Sequence, residues 1–165
     1  RPVEQVSWSA VASFCEKLTE LERKARRLPA GMAYQLPSEA QWEYACRAGT
    51  MTAYAFGNSL TPTQANIVYA LGKETKEVGK YPANAWGFHD MHGNVFEWCA
   101  DWYGAYPIGA VSDHVGPAGG ASRVKRGGSW DSMAYFARSA NRLRLEPANC
   151  DNNLGFRLSL RSASK

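Results

Sequence analysis

The chain's densest run of chemically capable side chains lies between Asn84 and Tyr103. There Asp90 and Glu97 bracket a turn that carries Gly93, with large aromatics on either side. Two carboxylates on a flexible loop suit a hard divalent cation, which takes roughly six to eight oxygens and completes its shell with backbone carbonyls. Calcium is the natural candidate. The same residues also suit a plain turn whose acids cap backbone amides. His89 and His92 beside Asp90 offer a transition-metal reading, although a histidine on a turn is more often solvated.

Thiol chemistry has little to work with. Cys15, Cys46, Cys99 and Cys150 are far apart and form no CxxC pair, which argues against zinc and against thioredoxin-like redox work. Cys15 and Cys46 fall on apolar helical faces and read as reduced core residues. Ser129 sits inside a Gly-Gly-Ser-Trp run with neither histidine placed near it by sequence, so a nucleophilic triad finds no support. No phosphate-cradling loop and no nucleic-acid-binding motif is present.

A third group follows that Gly-Gly-Ser-Trp run. Asp131, Ser132, Met133, Tyr135, Phe136, Arg142, Leu143, Arg144, Leu145, Asn149, Cys150 and Asp151 mix acids, amides, arginines, aromatics and aliphatics. Such mixtures suit a recognition surface, with aromatic anchors giving contact area at low entropic cost and arginines giving directional hydrogen bonds. The alternative is that Tyr135, Phe136, Leu143 and Leu145 pack in the core.

The elements that must position these residues are few. With 165 residues, 45% of them hydrophobic, the chain suffices for one compact domain spanning 1–165. Val11, Phe14, Cys15 and Leu18 recur at helical spacing after a capping Ser7, which predicts an amphipathic helix. Ser38 with Gln41 three residues on forms a capping box that starts a second, short helix. From Gly49 onward Gly, Pro, Asn and Asp leave room only for short strands, around Glu97–Trp102, Ser122–Arg126 and Gly155–Leu160. No apolar stretch approaches the roughly 18 residues of a membrane span. Arg1 in place of a Met and signal peptide reads as a fragment or a processed chain.

Three runs carry a family resemblance: Leu36 to Ala45, Asn84 to Trp102, and Arg123 to Trp130 followed by Arg138-Ser139-Ala140 and Asn153 to Leu158. In this order they resemble the formylglycine-generating-enzyme, or sulfatase-modifying-factor, family over Val3 to Leu160. The resemblance implies an α+β, C-type-lectin-like fold, loop-rich, with two short helices and short antiparallel strands. It also implies that the family's N-terminal segment, and with it one strand, belongs to a longer parent protein. Calcium ligands would be Asp90, the Gly93 and Val95 carbonyls, and Glu97. A second family calcium site would fall at Asn66-Ile67, but Val68 to Lys80 supplies no Asp for it.

The family's activity is copper-dependent thiol oxidation by two cysteines shortly after the Gly-Gly-Ser-aromatic motif, since soft thiolates hold Cu(I). Here Asp131 to Ala137 contains no cysteine, so no copper is expected and the catalytic pair is absent. A related branch, the sulfoxide synthases, takes iron from histidines on a further helical domain that this chain does not contain. The loop also resembles that of the variable proteins of diversity-generating retroelements, which display altered residues after the same motif. Three classes of function follow: a ligand-binding or display module using the surface of about 131–151 on a calcium-stabilised scaffold, a formylglycine-generating oxidase, and an accessory domain regulating a catalytic neighbour. The expected partner is a protein or other macromolecule, with no nucleic acid and no membrane span in this chain.

Overall fold

The computed structural model describes residues 1–68 and 73–162. Helix α1 runs from Trp8 to Lys24 behind Ser7, whose hydroxyl accepts the Ala10 N–H, and ends on Arg23 and Lys24, which complement the helix dipole. At 17 residues it is longer than the short helix expected. Its inward face is also rotated. Val11, Cys15 and Thr19 are buried, whereas Phe14 stays half-exposed and packs edge-on against Phe156. Thr19 earns its interior place because its hydroxyl accepts the Tyr34 N–H at the edge of strand β1, Met32–Gln35.

Helix α2, Glu39–Arg47, begins on the full capping box read from Ser38 and Gln41, with both reciprocal hydrogen bonds made. Strand β2, Phe96–Trp102, is buried along most of its length because it is covered on both faces. Antiparallel to it lies β3, Arg123–Arg126, with a register irregularity between Trp98 and Trp102, and β4, Leu143–Leu145, pairs antiparallel with β3. A short strand β5, Leu154–Gly155, completes a four-stranded sheet ordered β4-β3-β2-β5 and runs parallel to β2. Strand β6, Ser159–Ser162, pairs instead with β1, Met32 opposite Ser162.

The expected strand from Gly155 to Leu160 is thus two strands separated by Phe156 to Leu158. The break has a cause: Arg157 turns aside to place its guanidinium on both oxygens of Glu97, at 2.5 and 2.6 Å. Around Val11, Cys15, Leu36, Phe96, Trp98 and Leu154 the apolar core closes between α1 and the sheet. A second cluster joins Trp42 and Cys46 of α2 to Met91, Cys99 and Val124. No helix among the described residues is long and apolar enough to cross a membrane.

Candidate functional site

Two consecutive glycines launch the loop that follows β3. Gly127 and Gly128 both have positive φ, 97° and 74°, and a Cβ on Gly128 would come within 2.9 Å of the Ala137 methyl. That close approach folds residues 129–137 back on themselves. Ser129, fully buried, donates to Asp131 Oδ1 at 2.6 Å and shares a hydrogen bond with Ser132 at 2.7 Å. Asn153 donates to both oxygens of Asp131, at 3.2 and 3.0 Å, so the acid is held from two segments. A single 3-10 turn, Ala134–Ala137, then presents Tyr135 outward, with Arg138 stacked 4.0 Å over its ring.

The twelve residues read as a recognition surface divide. Asp131, Met133, Tyr135, Arg144, Asn149, Cys150 and Asp151 are exposed. Ser132 is buried beneath the loop, and Phe136, Leu143 and Leu145 pack against the main core cluster, so their apolar area is spent there. Arg142 is spoken for as well: it forks onto both oxygens of the buried Glu39 at 2.6 Å and lies 3.8 Å over the ring of Tyr106.

Beneath this surface lies a charged network that spacing could not announce, its members being far apart in sequence. Arg126 has no exposed surface; it ion-pairs with Glu43, bonds the Asn141 carbonyl and the Ser139 carbonyl, and lies 3.6 Å from Glu39. It therefore ties α2 to the segment that carries the residues read as a recognition surface. His92 has a comparable role. Its Nε2 accepts the Ala55 N–H at 3.0 Å, which leaves Nδ1 to donate to the Ala137 carbonyl at 2.7 Å. Burial pushes its pKa below the ordinary histidine value. It is a buried pin between two loops, not the solvated turn residue expected, and with both ring nitrogens occupied it has none to offer a metal.

The candidate calcium residues converge. Asp90, Gly93, Val95 and Glu97 line one cavity, together with Arg157. Asp90 takes a positive φ of 57° and accepts the Gly79 N–H on Oδ2 at 2.7 Å, while its Oδ1 accepts no hydrogen bond from the described residues. The Gly93 and Val95 carbonyls accept no hydrogen bond from the described residues. Glu97 is more committed: Trp42 Nε1 and Arg157 Nε share Oε2, and Arg157 Nη2 takes Oε1. Among the described residues no cluster of three or more His, Cys, Asp or Glu gathers. The donors on hand are all oxygens, and two of the four are carbonyls, a set that fits a hard cation and not a soft one. At Asn66, where the second family site would start, the buried Oδ1 meets no partner among the described residues, and residues 69–72 of the segment after it lie outside them.

Three of the four thiols are sealed in the interior. Cys15, Cys46 and Cys99 are buried and free, and Cys150 is exposed. Burial pushes Cys46 up to about 12 and Cys99 well above its ordinary value, so neither is a thiolate near neutral pH.

Residues 1–162 match the profile of the sulfatase-modifying factor enzyme 1-like domain. The chain belongs to this family. Within it, the chain is 44% identical over 128 residues to serine/threonine-protein kinase pkn1 of Chlamydia caviae, a match covering 74% of this chain and 20% of that one. It is 33% identical over 174 residues to the formylglycine-generating enzyme of Mus musculus, covering 94% of this chain and 43% of the enzyme. The chain thus spans less than half the length of these relatives. Among solved structures, Treponema denticola variable protein 1 superposes with a TM-score of 0.84 at 29% identity, over 99% of this chain and 72% of that one. The α+β fold read from the sequence is the family fold, loop-rich with two helices and short mixed sheets.

Proposed function

We propose that this sulfatase-modifying-factor-type domain is a non-catalytic recognition module within a larger protein. Its binding face is formed by Asp131, Met133, Tyr135, Arg144, Asn149, Cys150 and Asp151. One observation carries the reading. The loop after Gly-Gly-Ser-Trp, where the family resemblance puts two metal-holding cysteines, offers Ser132 and Met133, and the thiols of Cys15, Cys46 and Cys99 are sealed in the interior. A lone exposed Cys150 cannot supply a two-thiolate copper site. What remains on the surface is an aromatic anchor, a thioether, an arginine and two acids on a braced loop, the composition of a contact surface. The likeness to the treponemal variable protein supports the same reading.

The oxidase alternative is tested by incubating the chain with Cu(I), oxygen and a cysteine peptide, and reading aldehyde by mass spectrometry. No product is expected, and aldehyde formation overturns the proposal. The face itself is tested with a photocrosslinking residue at Tyr135 or, as control, at Lys17 of α1 in the full-length protein. Adducts are expected from the first position only.

Calcium belongs to this proposal as scaffold. Bound by Asp90, the Gly93 and Val95 carbonyls and Glu97, it would supply a positive charge that cross-links the turn preceding β2. The kinase relative favours a second reading, an accessory domain beside a catalytic one. That reading requires the full gene to encode such a neighbour, and a gene encoding this fold alone counts against it.

A further inference from the structure

A separate concavity of about 270 Å³ opens beside α1 and shares no residue with the loop face. Cys15 and Leu36 on its wall belong to the main core cluster, and Trp8 and Tyr34 pack against that cluster. Its cation is Arg123. The guanidinium is clamped between two indole rings, 3.7 Å from the Trp8 centroid and 3.6 Å from that of Trp102. Trp8 is itself fixed, donating its indole N–H to the Cys99 carbonyl at 2.8 Å.

The clamp fixes the guanidinium without neutralising it. Arg126, Arg142 and Arg157 each meet a carboxylate. Arg123 meets none within ion-pairing distance among the described residues. Among the described residues its side chain makes one hydrogen bond, from Nη1 to the Ala100 carbonyl at 2.6 Å, and its buried Nε meets no acceptor. Burial disfavours its charge, with Asp101 opposing only in part. Arg123 is only partly buried, but a planar fork already held in one orientation and lacking an anion loses little freedom on gaining one. Glu16 lies at the rim, exposed on α1, where solvent screens it. The volume falls just below the roughly 300–1,000 Å³ of drug-sized sites, which limits the occupant to a short body.

We propose that this pocket binds a small carboxylate with a short apolar body, the carboxylate on the Arg123 guanidinium and the body against Trp8, Tyr34 and Leu36. A free organic acid and an apolar C-terminal residue of a peptide share this chemistry.

Titration calorimetry on the full chain tests the proposal with 4-methylpentanoate, with its primary amide, and with an acetylated tripeptide ending in leucine. The acid is expected to give saturable heat at millimolar concentration, and the amide to bind at least about tenfold more weakly, as a charge-assisted hydrogen bond requires. Binding by the acid and not the peptide identifies a free acid; tighter binding by the peptide identifies a tail. Arg123→Gln removes the charge, but it also disturbs the clamp. Ala12→Leu is therefore the deciding variant, since Ala12 lines the pocket and lies outside the clamp. It should abolish binding at an unchanged melting temperature. Equal binding of acid and amide, no saturable heat from any probe, or full binding in Ala12→Leu overturns the proposal.

Discussion

Arg126 is the residue on which the site's support most depends, because one buried guanidinium satisfies groups on α2 and on the segment after β3. Arg126→Met leaves part-exposed Glu43 with Arg47 alone and takes a donor from the Asn141 and Ser139 carbonyls, and a buried polar group left without its partner costs about 1–3 kcal/mol. Urea denaturation should show that loss, and adding Glu43→Leu should recover part of it. His92 gives a pH signature. The unfolded chain takes up this proton near its ordinary pKa of about 6.5, whereas the buried folded form does so only at lower pH. The unfolded state then binds more protons, so the His92 contribution is intact above that value and shrinks as pH falls. Melting temperature should therefore drop between about pH 7.5 and 5.5, and drop less in His92→Gln. Asp90 and Asp101, raised chiefly by burial, push the other way but are common to both proteins. Natural variation offers a third check. Across isolates, substitutions should gather at exposed Asp131, Met133, Tyr135, Arg144, Asn149 and Asp151 and spare Ser132, Phe136, Arg142, Leu143 and Leu145; a uniform spread removes the display reading.

At the scale of elements, what was legible was local. Ser38 and Gln41 lie three residues apart and fixed the start of α2, and Ser7 with Val11 and Cys15 fixed α1, since caps and helical faces depend on neighbours in sequence. What was hidden depended on partners far along the chain. The rotation of the α1 face follows from Thr19 meeting Tyr34, and the break between β5 and β6 follows from Arg157 meeting Glu97. No periodicity encodes either contact. The candidate site shows the same division: its motif was plain, whereas the sorting of its residues into exposed, buried and ion-paired required Glu39 and the core. Gly128 joins the two levels, a local motif residue with a distant constraint. Gly128→Ala puts a methyl group against Ala137 at a positive φ, and should cost at least about 1 kcal/mol by thermal denaturation. It should also weaken photocrosslinking from Tyr135, because the loop cannot close.

For the molecule as a whole, calcium is the condition to vary. A ligand bound only to the folded state at a hundred times its dissociation constant adds about 2.7 kcal/mol, so a chelator should lower the melting temperature by several degrees. No shift removes the site, and Asp90→Asn should mimic the chelator. One feature of the topology reaches beyond the folded state. Strand β1 at Met32–Gln35 finds its partner in β6 at Ser159–Ser162, and the Gln5 N–H is bonded to the Asp151 carbonyl. Both contacts span most of the chain, so loop closure must be paid before either rewards it. During synthesis the first segments leave the ribosome long before their partners exist. Strand β1 must therefore wait for its pairing until the residues of β6 have emerged, although α1 can already close on Leu36, Phe96, Trp98 and Leu154 before then. A nascent chain stalled before Ser159 should therefore expose the unpaired β1 and be held by chaperones, even with the loop after β3 already made.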